Sequence, residues 1–224
     1  MATLYRTEGY VLKKNDLREA DQLFTVYTKN FGKIDILGRA IRKIKSKLRS
    51  GIDLFYFSEI EFIQGKVYKT LTDAVAIEKL SDLDKMNSFK NIADFLNTLV
   101  HEEKDNDIWN LLEECFSKLD KGIISYYFAW NLASIMGYEI DLNNCAVCQR
   151  KLEPENLNFS LDQHGIICAQ CFDRAEEKQE ISADTVKVLR LFLEKNWSVL
   201  SRIKVFPIEE LEIITEKLKH AIIK

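Results

Sequence analysis

The chain lacks the long apolar segments of a membrane-spanning or exported protein. No uninterrupted apolar run in its 224 residues approaches the roughly 20 residues that a transmembrane helix needs. Residues 1–10 contain no apolar core of a signal peptide. We therefore expect an intracellular protein without a membrane partner, in a reducing compartment that keeps its cysteines as thiols.

Histidine is also scarce. The chain has three histidines, and no paired His and Glu motif accompanies its cysteines. A catalytic metal needs an open coordination position, and a hydrolase needs a base beside it. This absence argues against a zinc hydrolase or nuclease, and we expect no enzymatic turnover.

Four of the five cysteines form two short pairs, Cys145-Ala-Val-Cys148 and Cys168-Ala-Gln-Cys171. Two C-x-x-C pairs at this separation are typical of a structural Zn²⁺ site, in which each turn supplies two thiolates to a tetrahedral ion. A redox pair, disulfides or buried free thiols are the alternatives. A closed site of this kind stabilises a small knuckle, here at about residues 141–175, and performs no chemistry.

Acidic residues are under-represented in the first part of the chain. Residues 1–80 hold 15 Lys and Arg against 10 Asp and Glu, a net charge of +5. Residues 81–224 hold 17 against 25, a net charge of −8. Such an asymmetry indicates that the first part meets a polyanion and the second does not.

Short strand patterns separated by turns fill residues 1–80. β-branched and aromatic residues predict strands at 8–12, 21–28, 33–37, 54–63 and 67–77. About five short strands suit a small closed or nearly closed barrel, and the OB-fold is the commonest nucleic-acid-binding example.

A basic segment lies between the third and fourth predicted strands. Residues 39–49 contain six basic residues and no acidic one. A barrel loop of one charge sign favours phosphate binding, whereas a solvated surface linker is the alternative. Three aromatic residues are open candidates for stacking on unpaired bases: Phe31, Tyr56 and Tyr68.

Beyond residue 81 the apolar period changes from two to about 3.6. We expect amphipathic helices near 89–100 and 108–119, the second with a buried Cys115, and a helix from Ile123 to Met136 that is apolar nearly all round. Gly137 and Ser182 are the predicted caps of helices on either side of the knuckle, and a last helix runs over 207–223. The predicted fold is α+β, with an OB-fold domain at 1–80 and a helical domain at 81–224 into which the zinc knuckle is inserted.

Several segments resemble the bacterial recombination mediator family RecO. Those near the start are Asn15-Asp-Leu-Arg-Glu-Ala-Asp-Gln-Leu-Phe-Thr-Val-Tyr-Thr28, Phe31-Gly-Lys33 and the basic run from Gly38-Arg39 to Ser46-Lys47-Leu48. The later ones are Phe128-Ala-Trp-Asn-Leu-Ala-Ser-Ile-Met-Gly-Tyr138 running into Asn144-Cys-Ala-Val-Cys148, then Asn158-Phe-Ser160, and Gly165-Ile-Ile-Cys168-Ala-Gln-Cys171. The resemblance covers nearly the whole chain, and its most specific part is the passage from helix to knuckle.

This resemblance implies a protein of the bacterial cytoplasm, associated with the nucleoid, that binds single- and double-stranded DNA and anneals complementary strands. It also implies cooperation with RecR and with the acidic C-terminal tail of single-stranded DNA-binding protein to load recombinase. Carried over by position, the metal ligands would be Cys145, Cys148, Cys168 and Cys171. The DNA contacts would be Lys33, Arg39, Arg42, Lys43, Lys45, Lys47 and Arg49.

Two other interpretations of the residues remain open. One is an RNA-binding factor that uses its barrel on RNA, and the other is a scaffold protein whose basic segment is only solvated. Both keep the OB-fold and the structural zinc knuckle.

Overall fold

The computed structural model describes residues 3–138 and 140–223. The chain divides into two compact units, residues 1–122 and 123–224. Among the described residues, no helix combines the length and the apolar character needed to cross a membrane.

Five strands form a closed barrel in the first unit, in the order β1-β2-β3-β5-β4 with β4 returning to β1. They are β1 (Leu4–Leu17), β2 (Asp21–Thr28), β3 (Gly32–Gly38), β4 (Tyr56–Ile63) and β5 (Lys69–Lys79). All pairs are antiparallel except β3 with β5, which pair in parallel over two residues. Five strands in this order with one parallel closure are an OB-fold, as predicted.

Alternation along the strands places the barrel core. In β3, Ile34 and Ile36 are buried while Asp35 between them is exposed, because successive side chains of a strand point to opposite faces. The core contains these buried residues: Val11, Phe24, Val26, Ile34, Ile36, Ile41, Ile52, Ile60, Phe62, Leu71 and Ala74.

Two helices follow the barrel in the same unit, α1 (Leu83–Leu99) and α2 (Asn106–Phe116). Each begins at an aspartate, Asp82 or Asp105, whose carboxylate accepts backbone N–H groups of the first turn. Both helices pack on the barrel through aromatic rings that surround the buried Tyr10: Phe57, Phe89, Trp109 and Phe116. The division into domains at 1–80 and 81–224 stays a proposal, since α1 and α2 follow the barrel in sequence and also pack against it.

The second unit is a helical bundle with a small sheet. Its helices are α3 (Ile124–Ile135), α4 (Ala183–Leu193), α5 (Trp197–Leu200) and α6 (Ile208–Ile223), and its strands are β6 (Leu157–Ser160), β7 (Gly165–Ile167) and β8 (Lys178–Ile181) in the order β7-β6-β8. Helix α3 is the buried centre, as its pattern predicts. Its Trp130 donates an indole hydrogen bond to Thr215 of α6 at 3.0 Å, and the amide of Asn131 donates to the Phe192 carbonyl of α4.

Both predicted helix caps are confirmed. Gly137 has a positive φ of 88°, and its N–H and that of Tyr138 close the last turn of α3 on Ser134 and Ala133. Ser182 accepts the Thr185 N–H at the start of α4. The short helix α5 and the sheet of the knuckle were not predicted.

Candidate functional site

The basic loop, residues 39–49, leaves the barrel at the end of β3 and is anchored at two points. Its Ile41 side chain is 1% exposed and belongs to the barrel core. Two backbone N–H groups bind the chain around the β1–β2 turn: Ala40 donates to Asp21 Oδ1 at 2.7 Å, and Arg42 donates to the Ala20 carbonyl at 3.0 Å. The loop is therefore held by packing and by hydrogen bonds.

Anchoring the backbone leaves the charges of the basic loop in solvent. All six of its basic side chains are exposed. Arg42 pairs with Asp16 at 3.2 Å, which partly offsets its charge. In the described part of the chain, five others form no ion pair with an acidic side chain: Arg39, Lys43, Lys45, Lys47 and Arg49. This surface can bind phosphates without first breaking salt bridges.

Lys33, the seventh predicted DNA contact, lies outside the basic loop. It is half-buried on β3, and its ammonium donates to the carbonyls of Leu96 and Asn97 at 3.0 Å each. These carbonyls end α1, where a positive charge also favours the helix dipole. Burial lowers the pKa of Lys33. Lys33 joins α1 to the barrel in this structure, and its contact with DNA stays a prediction.

A groove of about 750 Å³ opens beside the basic loop. It lies between the β1–β2 turn, the end of β3 and the β4–β5 turn, and we call it the barrel groove. Three basic residues line it, Arg18, Arg39 and Lys66, together with Tyr68. Arg18 and Lys66 were missed in the sequence because each is a single basic residue in a turn. The signal that points to them is topological, since an OB-fold brings these two turns together.

Of the three aromatic candidates, Tyr68 lines the barrel groove. Phe31 packs edge-on against Tyr5 and Phe62 at ring distances of 5.5 and 5.4 Å. Tyr56 packs on the core and lies under the Lys79 ammonium at 5.2 Å. A Cβ at Gly65 would lie 2.1 Å from the Tyr68 carbonyl, so only glycine permits the turn that holds Tyr68 in place.

The four predicted metal ligands meet in the second unit. The sulfurs of Cys145, Cys148, Cys168 and Cys171 all lie within 4.8 Å of one another, and those of Cys148 and Cys168 are 3.9 Å apart. A tetrahedral ion with bonds of about 2.3 Å to sulfur requires separations near 3.8 Å. The donor set and its spacing therefore fit a metal ion held by four thiolates.

The surroundings of the cluster shift the pKa values of its thiols in opposite directions. The backbone N–H and guanidinium of Arg150 lower the pKa of Cys148 to about 6, whereas burial raises the pKa of Cys171 to about 12. The Cys168 N–H donates to Cys145 Sγ at 3.4 Å. His164 is outside the cluster and has the positive φ of 52° of a turn residue. Cys115 is buried in α2, as predicted.

Fold and site together define a class: a chain with an OB-fold, which is widely used to bind nucleic acids, and with a helical unit whose four clustered cysteines could hold a metal ion. Two family models match the chain, "Recombination protein O N terminal" over residues 1–80 and "Recombination protein O C terminal" over residues 80–215. The chain belongs to the RecO family of DNA repair and recombination proteins.

Curated relatives agree with this assignment. DNA repair protein RecO of Dehalococcoides mccartyi strain CBDB1 is 29% identical over 210 residues, which are 90% of this chain and 83% of that protein. The Desulforamulus reducens protein of the same name is also 29% identical, over 90% of this chain and 82% of its own length. DNA repair protein RecO of Listeria innocua is 27% identical over 84% of this chain and 76% of its own length.

The anchor of the basic loop can be tested with two isoleucines from one segment. Ile41→Ala should lower the free energy of unfolding by about 2–5 kcal/mol and speed tryptic cleavage within residues 39–49, because the loop is no longer held by a buried side chain. Ile44 is 95% exposed, so Ile44→Ala should change neither. Urea denaturation and a timed digest measure both effects, and equal cleavage of the two variants would contradict the anchoring role.

Proposed function

We propose that this protein is a DNA-binding recombination mediator that anneals complementary single strands and turns over no substrate. The observation that carries the proposal is the basic loop, which is fixed to the barrel and presents five exposed cations that form no ion pair with described acidic groups. Membership of a DNA repair family supports DNA as the polyanion.

Annealing requires two polyanions to approach each other. Exposed lysines and arginines neutralise phosphates and release counterions, which lowers the repulsion between strands. Base pairing then supplies the sequence specificity, and the protein needs none of its own. An anchored backbone carrying long, mobile side chains suits this task, because the charges can follow either strand while the loop stays at the end of β3.

The barrel groove is the proposed place for unpaired bases. Tyr68 offers an aromatic face, and three basic residues, Arg18, Arg39 and Lys66, line the same groove with one acidic residue, Asp21. An aromatic ring can stack on any unpaired base, whereas contacts to phosphates form with single and double strands alike. The groove would therefore add single-strand preference to the binding that the basic loop provides.

RecR and the acidic C-terminal tail of single-stranded DNA-binding protein are the proposed protein partners in loading recombinase. Family membership supports this part of the proposal. An acidic tail needs basic side chains to bind, and the two on α4 are already engaged: Lys187 pairs with Asp184 at 2.9 Å, and Arg190 donates to the Leu142 carbonyl. We therefore do not assign the tail to these two side chains. The bacterial cytoplasm, at the nucleoid, is the proposed location.

Zn²⁺ is the proposed occupant of the cysteine cluster, one ion per chain with a structural role. Four thiolates form the closed ligand set that structural zinc prefers. In the sequence the two C-x-x-C turns flank β6 and β7, so an ion would hold together a segment with a small core of its own.

The basic loop is tested by replacing Lys43, Lys45 and Lys47 with Gln together. Affinity for single-stranded DNA should fall, and the slope of log K against log salt should decrease by about 0.7 for each phosphate that is no longer neutralised, or about 2 in all. Strand annealing should slow in parallel. Fluorescence anisotropy across salt concentrations and an annealing assay with complementary oligonucleotides measure these effects.

A matched control removes the same charge from the second unit, where Lys187, Lys195 and Lys204 are also exposed. Their triple Gln variant should keep the wild-type slope. An unchanged slope in the loop variant would contradict the proposal and favour the scaffold interpretation. Tighter binding to RNA than to DNA of the same sequence would favour an RNA-binding factor.

The barrel groove is tested at Tyr68. Tyr68→Ala should weaken binding of single-stranded DNA by about 1–3 kcal/mol, because one base loses its stacking partner. Binding of a blunt duplex should stay unchanged, and Tyr68→Phe, which keeps the ring, should bind like the wild type. An equal loss on duplex and single strand would show that the groove does not distinguish unpaired bases.

Zinc is tested by metal analysis of the purified protein. We expect one zinc per chain, lost in Cys148→Ser and kept in Cys115→Ala, because Cys115 lies outside the cluster. Chelation should expose the amides of β6 and β7 to hydrogen exchange while those of the barrel stay protected. If the purified protein held no metal and the amides of β6 and β7 were still protected from hydrogen exchange, the zinc site would be ruled out.

A further inference from the structure

One arginine contacts both cysteine turns. Arg150 follows the first C-x-x-C pair, and its Nε–H donates to Cys148 Sγ at 3.4 Å. Its Nη2 donates to the side-chain oxygen of Gln170, which lies between Cys168 and Cys171. Its own carbonyl accepts the Cys145 N–H at 2.8 Å. A single residue thus joins the first pair, through backbone and side chain, to the second.

We propose that Arg150 is a positioning residue for the metal site, which holds the two cysteine turns in register and offsets the charge of the thiolates. The inference rests on the proposed zinc site and goes beyond it, since Arg150 is not a ligand. Four thiolates around Zn²⁺ carry a net charge of −2, so a cation at the sulfurs stabilises the loaded cluster.

The two sides of the cysteine cluster differ in their exposure to solvent. Cys145 and Cys171 are buried, and Cys145 receives the backbone N–H of Cys168. Cys148 and Cys168 are partly exposed, so water and chelators reach the ion from their side. Arg150 lies on this accessible side, with its guanidinium against Cys148 Sγ.

The shape of the guanidinium matters as well as its charge. Its planar fork has several N–H groups at fixed angles, so one group reaches Cys148 Sγ while another reaches Gln170. A lysine ammonium has the same charge, but its donors sit on a single nitrogen and do not form a planar fork. Lysine at this position should therefore keep the charge offset and lose the connection between the turns.

The experiment compares Arg150→Gln, Arg150→Lys and a control, Arg174→Gln, in the full chain. Arg174 is exposed and lies three residues after Cys171, outside the cluster. Zinc content is measured first, followed by the rate of zinc transfer to a chromogenic chelator. Removing a partner of this kind usually lowers metal affinity or activity by about 10- to 100-fold, so Arg150→Gln should bind one zinc and release it roughly 10 to 100 times faster. The zinc release rate of Arg150→Lys should lie between those of the wild type and Arg150→Gln, and the control should release zinc at the wild-type rate.

A second measurement separates positioning from general stability. With cadmium in place of zinc, the ¹¹³Cd chemical shift should move in Arg150→Gln, because a sulfur loses its hydrogen bond, and should stay in place in Arg174→Gln. Wild-type protein that binds no metal would overturn the zinc proposal itself. Zinc-loaded protein in which Arg150→Gln releases metal at the wild-type rate, or no faster than the control, would overturn the role of Arg150 alone.

Discussion

Closure of the barrel is the constraint on which the candidate DNA surface depends. β3 meets β5 in parallel over only two residue pairs, Ile36 with Lys69 and Leu37 with Thr70, and this short pairing completes the ring. A parallel pair cannot be joined by a tight turn, so the chain crosses from β3 to β4, which pairs with β1, before it turns back into β5. The basic loop is part of that crossing. Its position at the end of β3 follows from the closure, and the buried Ile41 fixes it there.

The second unit depends on a different constraint. The segment between α3 and α4 contains three short strands, and sheets of this size are marginal in water without further support. One support is the contact of Phe159 with Trp130 of α3, at a ring distance of 5.9 Å. Four convergent sulfurs provide a place for a second. Hydrogen bonds to the sulfurs come from the backbone on the buried side and from Arg150 on the exposed side, so the knuckle is organised around the cluster.

Features that depend on local pattern could be predicted from the sequence. The alternation of Ile34, Asp35 and Ile36, the cap at Gly137 and the spacing of the cysteines each express a rule that acts over a few residues. Lys33 shows where such reasoning stops: in the sequence it is one more cation before the basic loop, yet in the fold its ammonium meets the carbonyls of Leu96 and Asn97. The barrel groove was missed for the same reason, since Arg18 and Lys66 become neighbours only when the strands pair.

Charge on this protein has to be considered locally. The chain as a whole is acidic, with a net charge of −3, a value that by itself argues against binding nucleic acid. At physiological ionic strength, however, exposed charges separated by more than about 8 Å are largely screened from each other. A phosphate at the basic loop therefore meets the exposed cations of residues 39–49, and the more distant carboxylates of the same unit contribute little. Because screened interactions are short-ranged, an acidic protein can offer a strongly basic surface, provided that the fold gathers more cations into one loop than its neighbouring carboxylates offset, as here, where Asp16 pairs with Arg42 alone.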